Sequence, residues 1–246
     1  MRYFLELSYN GKAYHGWQNQ PNAISVQEVL EKALSTILKS NIAIVGAGRT
    51  DTEVHAYQMF AHFDFEVDFN SENLVYKLNS FLPKDIAVHS IFEVSPEAHA
   101  RFDAISRTYH YKISTSKNVF DYDYAYLVMM PLDVKAMNSA CDILLKYNDF
   151  QCFSKSNTDV KTYYCDIKEA YWTKEDNRLM FTITANRFLR NMVRAIVGTM
   201  VNIGLGKLKP NDLHGIIASK DRSKAGFSAP AHGLYLVEII YPEGVN

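Results

Sequence analysis

Apolar and polar residues alternate from the first positions of the chain. Tyr3-Phe4-Leu5-Glu6-Leu7-Ser8-Tyr9 reads as a strand, and Asn10-Gly11 marks a turn after it. The period then changes. Ser25-Val26-Gln27-Glu28 is a capping box, and Val26, Leu30, Ala33, Leu34, Ile37 and Leu38 follow at helical spacing, which predicts a helix ending near Lys39. Ile42 to Val45 and Ala56 to Val67 predict strands on either side of a connection. Ser71 to Phe81 predicts a second helix through Leu74, Val75, Leu78 and Phe81, stopped by Pro83, and Ile86 to Val94 a further strand. The strand-helix-strand-strand-helix-strand order suits an α+β, ferredoxin-like unit with its helices on one face of an antiparallel sheet.

The second half repeats the scheme less clearly. Phe102 to Ser114 predicts a strand in which Arg107, Tyr109 and Tyr111 share one face and His110 and Lys112 the other. A tyrosine-rich loop from Asp121 to Tyr126 follows, to which no chemistry attaches. Asp133 caps a predicted helix carrying Val134, Met137, Cys141, Leu144 and Leu145, and Ala170 to Thr173 with Leu179 to Ala185 predicts a hairpin. From Phe188 to Ile203 the spacing predicts a helix. Its Leu189, Met192, Val193, Ile196, Val197 and Met200 form an apolar arc, and Arg187, Arg190 and Arg194 fall within a separate arc of roughly 60°. Such a stripe is either a solvated face or a track for phosphates. A short helix after Pro210 and a strand from Leu234 to Tyr241 complete the chain. The expected division is 1–104 and 105–246, without enough self-similarity to establish a repeat.

Composition adds exclusions. At 246 residues, with 48% hydrophobic and 22% charged side chains, the chain can bury a sizeable core in one large or two modest domains. No signal-peptide block or membrane-length apolar run is present, which leads us to expect a cytoplasmic protein. Cys141, Cys152 and Cys165 have the wrong number and spacing for a disulfide framework or a metal pair. A net charge of -1 does not announce a nucleic-acid binder, so any basic surface must be local. Eight histidines lack carboxylate or thiolate support at ligand spacing, and no metal is expected.

Chemistry concentrates in Gly46-Ala47-Gly48-Arg49-Thr50-Asp51-Thr52-Glu53-Val54-His55-Ala56, between two predicted strands. Arg49 and Asp51 are two apart, so in an extended segment the guanidinium can hold the carboxylate ionised and aimed. Taken alone, this is a structural ion pair or a catalytic carboxylate. An Asp51-His55 hydrolase lacks a nucleophile or second acid at recognisable spacing. The loop from Tyr14 to Pro21 reads as a surface turn capped by a packed Trp17 or as a binding element.

Seven blocks taken together resemble the TruA family of tRNA pseudouridine synthases. They are Gly16-Trp17-Gln18, Ser25-Val26-Gln27, Gly48-Arg49-Thr50-Asp51-x-x-Val54-His55-Ala56, His99-Ala100-Arg101-Phe102, Arg107-Thr108-Tyr109, Met192-Val193-Arg194-x-x-Val197-Gly198 and Gly233-Leu234-Tyr235-Leu236. The resemblance runs nearly end to end. It implies two ferredoxin-like halves with sheets joined across a pseudo-two-fold, a basic cleft between them, and a homodimer. It also implies isomerisation of uridine in the tRNA anticodon stem-loop, at positions 38, 39 and 40, without metal or cofactor. By the same resemblance Asp51 is the catalytic aspartate, Arg49 its partner and Tyr109 the ring that stacks on the target base. Arg187, Arg190 and Arg194, with Lys155 and Lys161, become phosphate contacts. The family motif usually has Ala-Gly where this chain has Thr52-Glu53. If that glycine serves a positive φ, Glu53 carries roughly 1 kcal/mol of strain and adds negative charge near Asp51. That charge is the one feature favouring a non-catalytic RNA-binding or RNA-folding module of the same fold.

Overall fold

The N-terminal run forms β1 (Arg2–Tyr9), with Leu5 and Leu7 fully buried. In the computed structural model, which describes residues 1–156 and 160–245, the chain divides into two units: Met1–Ser106 with Tyr235–Asn246, and Arg107–Leu234. Nine strands and five helices are present among the described residues. None of the described helices is long and apolar enough to cross a membrane.

In the first unit Ser25 Oγ accepts the Glu28 N–H at 3.1 Å and starts α1 (Val26–Leu38), which ends at Lys39 with φ 52°. Asn70 Oδ1 likewise caps α2 (Ser71–Phe81) from Asn73 N at 2.7 Å. The expected strand over 42–45 is much shorter. Ile42 N donates to Ser35 Oγ and Ile44 N to Glu31 Oε1, so side chains of α1 take the hydrogen bonds a strand partner would use. What remains is β2 (Val45–Gly46), paired antiparallel with β3 (His55–Asp64). β3 and β4 (Ile86–Val94) flank β1 antiparallel, giving the order β4-β1-β3-β2 of a ferredoxin-like unit. The last strand, β9 (Leu234–Ile240), was expected in the second half but belongs here. It runs parallel to β3 through His55↔Tyr235 and Ala56↔Leu236, and Ile239 N donates to Gln58 Oε1 at 2.8 Å.

The turn over 98–103 is bound to this sheet through an imidazole. His62 is buried on β3, and its Nδ1 accepts the Ala100 N–H at 3.1 Å. Burial, helped by the charge of Arg2 and by His99, pushes the His62 pKa down to about 4.

In the second unit β5 (Ser106–Ser114) pairs antiparallel with β8 (Arg178–Ala185), and β8 with β7 (Ile167–Glu175). A two-residue β6 (Tyr126–Leu127) lies parallel to the end of β5. Asp133 caps α3 (Val134–Leu144), whose Asn138 bonds both backbone groups of Trp172 on β7. Helix α4 (Met192–Gly204) corrects the expected Phe188 start. Asn191 has φ 67°, which ends helical geometry there, so Arg187 and Arg190 precede the helix and Arg194 alone lies on it. The three do not form a helical stripe. Helix α4 is buried on nearly every side, with Arg194 and Asn202 as exceptions. A segment over 226–229 crosses it at Gly198, where an added Cβ would overlap the Phe227 carbonyl. Gly226 N donates to Thr199 Oγ1 at 2.8 Å, and Ala229 N to Arg194 O at 3.0 Å. The short α5 (Asp212–Ser219) follows.

Two measurements check this packing. Urea melts of Gly198→Ala should show a loss of about 2 kcal/mol, since backbone must shift, while Gly215→Ala, in open space on α5, should gain up to about 1 kcal/mol. Equal effects would contradict the crossing. An unfolded histidine titrates near 6.5, so between that value and about 4 the unfolded chain binds a proton that folded His62 refuses. The stability associated with His62 should therefore be complete above about pH 6.5 and decline as pH falls towards 4. His62→Gln should flatten that decline, and an unaltered pH slope would contradict it.

Candidate active site

The connection between β2 and β3 is clamped by the segment that follows β1. Gly46 lies against the indole of Trp17, where a Cβ would overlap the ring, and Trp17 is 2% exposed. The backbone of Trp17 is held at both ends: its N–H donates to Thr50 O at 3.3 Å, and its carbonyl accepts Gln27 N at 3.0 Å, from the first turn of α1. Gly16, with φ 90°, presses on the Thr50 carbonyl so closely that no Cβ fits. The hydroxyls of Tyr9 and Thr50 are 2.9 Å apart, and Gly11 N donates to His55 Nδ1 at 3.1 Å. The packed-Trp17 reading of this loop is the one observed. Its role as a clamp was not foreseen from sequence; Gly11 and Gly16, on either side of Tyr14, were the available signal.

Within the clamped segment Thr50 is buried, Arg49 exposed and Asp51 half-buried, which follows the expected two-residue alternation. Val54 N donates to Asp51 O at 3.2 Å, closing a turn whose third residue is Glu53 with φ 65°. That is the place where a turn of this kind favours glycine. Glu53 itself is exposed.

In the second unit Tyr109 is half-buried on β5, its ring edge-on to Phe188 at 5.1 Å and 86°. Tyr111 is fully buried and donates to Pro230 O at 2.8 Å. The expected common face of Arg107, Tyr109 and Tyr111 thus divides in depth. On the opposite face, burial lowers the His110 pKa, with Lys112 adding to the effect and Glu169 opposing it. Arg187 is half-buried and Arg190 exposed, on either side of Phe188 and Leu189. Lys155 N donates to Arg190 O at 3.0 Å. Arg194 donates from Nε to Ala229 O at 2.7 Å. Arg222, overlooked in the sequence, bonds Gly226 O and Ser228 Oγ at 2.9 and 3.0 Å, and Ser228 also accepts from Asn191 at 2.8 Å. Lys161 is exposed. Burial pushes the thiols of Cys141 and Cys152 up to about 12, which makes them inert. Among the described residues no three His, Cys, Asp or Glu side chains gather as metal ligands.

Relief of the positive φ gives a direct check on the loop. Glu53→Gly should raise stability by about 1 kcal/mol in urea melts, and a loss would mean that Glu53 makes a compensating contact.

The sequence profile described as tRNA pseudouridine synthase matches residues 7–103 and 140–242. A tRNA pseudouridine synthase A of Parabacteroides distasonis is 53% identical over 245 residues, covering 98% of this chain and 96% of the relative. One from Bacteroides fragilis is 52% identical, covering 99% and 98%, and one from Thermoanaerobacter sp. (strain X514) is 40% identical, covering 96% and 98%. With the profile covering most of the chain, and the relatives its full length, the protein belongs to the tRNA pseudouridine synthase family.

Proposed function

We propose that the protein isomerises uridine to pseudouridine in the tRNA anticodon stem-loop, at positions 38, 39 and 40, with Asp51 as the catalytic carboxylate. The observation that carries this reading is the half-buried Asp51 on a loop immobilised by Gly16, Trp17 and Tyr9, in a chain of this family. The reaction breaks the N1–C1′ bond, turns the uracil and joins C1′ to C5; the C5 proton leaves and N1 gains one. No atoms are added, so no co-substrate is consumed, and we read the reaction as one that uses neither cofactor nor metal. The nucleotide must first leave its stack, and an ionised Asp51 then either attacks C1′ or removes a sugar proton to give a glycal. Tyr109, braced by Phe188, stacks on the detached uracil while it turns. Arg49, exposed beside Asp51, supplies positive charge to the substrate, and Arg187, Arg190, Arg194, Lys155 and Lys161 contact phosphates. We read the protein as a cytoplasmic homodimer. Glu53 points into solvent, where its charge is screened, which weakens the case for a non-catalytic module.

Carbodiimide mapping should find pseudouridine in anticodon-arm tRNA treated with wild-type protein and none with Asp51→Asn, which should still bind. Wild-type protein that binds but never modifies tRNA would sink the proposal. For the arginines, Arg190→Ala should shallow the salt dependence of tRNA binding by about one ion. Arg194→Ala should do the same and also lower the melting temperature, since it loses the Ala229 contact. Unchanged salt slopes in both would remove them from the RNA surface.

A further inference from the structure

The turn over 98–103 in the first unit is fixed from many directions, yet it displays a side chain that gains little from the fold. Asp103 N donates to His99 O at 3.1 Å and His99 N to Asp103 Oδ2 at 2.7 Å. Arg101 N and Phe102 N both donate to His99 Nδ1, at 3.1 and 3.3 Å. Ala100 is held twice, by His62 Nδ1 and by the Tyr241 hydroxyl, and Ala98 O accepts the Arg2 guanidinium at 3.0 Å. On this scaffold Phe102 is 73% exposed. Its ring rests on His99 at 4.3 Å, and the Arg101 guanidinium carbon lies 5.6 Å from its centroid. The ring therefore stands in water with its position already set, which removes much of the ordering cost of a contact.

Charge distinguishes this pair from the other exposed aromatic loop. Phe120 and Tyr122 are equally open, but Asp121 and Asp123 alternate with them. That loop repels a polyanion. The Arg101–Phe102 pair offers an open ring joined to a positive charge, the combination that suits single-stranded nucleic acid. A duplex hides its base faces and would leave the ring without a partner.

We infer that Arg101 and Phe102 form an RNA contact, the ring stacking on an unpaired base and the guanidinium meeting the adjoining phosphate. The inference rests on the proposed tRNA substrate and adds a binding element outside the reacting residues.

Trp17 and Trp172 are both buried, so Phe102→Trp puts a new indole in water as a reporter. Its fluorescence should be quenched by anticodon-arm RNA with an open loop and far less by a blunt RNA duplex of equal length. Phe102→Ala should bind tRNA about tenfold more weakly, with kcat at saturating tRNA and the melting temperature unchanged. Arg101→Ala should shallow the salt dependence by about one ion. Absent quenching, with full tRNA affinity in Phe102→Ala, overturns the contact. A changed sedimentation coefficient of Phe102→Ala with intact RNA binding also overturns it, in favour of a protein interface. Binding is read apart from turnover here: tRNA held in a Phe102-dependent way but never modified supports the contact and sinks the enzymatic reading alone.

Discussion

The contact on which the loop carrying Asp51 depends is between two backbones. Gly16 touches the Thr50 carbonyl at a distance no side chain allows, and Trp17 N–H donates to the same oxygen. A carbonyl so engaged fixes the peptide that leads into Asp51. The neighbouring restraints follow from it: Tyr9 meets Thr50 through hydroxyls, Gly11 meets Val54 and His55, and Trp17 fills the space that Gly46 leaves. Three glycines thus do two kinds of service. Gly16 adopts a positive φ, and Gly11 and Gly46 give up volume to a backbone and a ring.

A clamped loop suits the role proposed for Asp51, that of a carboxylate meeting one carbon of a bulky, flipped nucleotide, since small misplacements cost rate steeply. The left-handed Glu53 fits the same logic. Strain at the turn is carried by surrounding hydrogen bonds, and the side chain is left in solvent, where it disturbs Asp51 least. In the second unit the arginines are positioned by irregular backbone. Asn191 breaks the helix before Arg194, and Ser228 joins Asn191 to Arg222, so side chains far apart in sequence are fixed around the start of α4.

Much of this was legible where local chemistry decides structure. The caps at Ser25 and Asp133 locate α1 and α3, apolar spacing and Pro83 locate α2, and the runs at 3–9 and 86–94 locate β1 and β4. Pattern failed where a single residue overrode the period. Arg187 and Arg190 keep helical spacing, but one positive φ at Asn191 removes them from the helix. Ile42 and Ile44 look like strand residues, yet Ser35 and Glu31 take their N–H groups. The last strand was assigned to the second half by its place in the chain, whereas its partner β3 lies far earlier; the Gln58 to Ile239 bond spans 181 positions. Arg49 and Asp51 stood out by local chemistry, and motif resemblance supplied the roles proposed for them and for Tyr109, whereas the clamp beneath Asp51 depends on glycine contacts that no spacing rule encodes.

In the proposed reaction the immobilised Asp51 loop serves an exchange of C5 for N1 on uracil. Forming the C5–C1′ bond expels the C5 hydrogen. Tritium release from tRNA labelled at uridine C5, incubated with the purified protein alone, reads that step. One tritium should be released per pseudouridine formed, in the presence of a chelator. Failure to release tritium from tRNA that the protein demonstrably binds would contradict the proposed reaction.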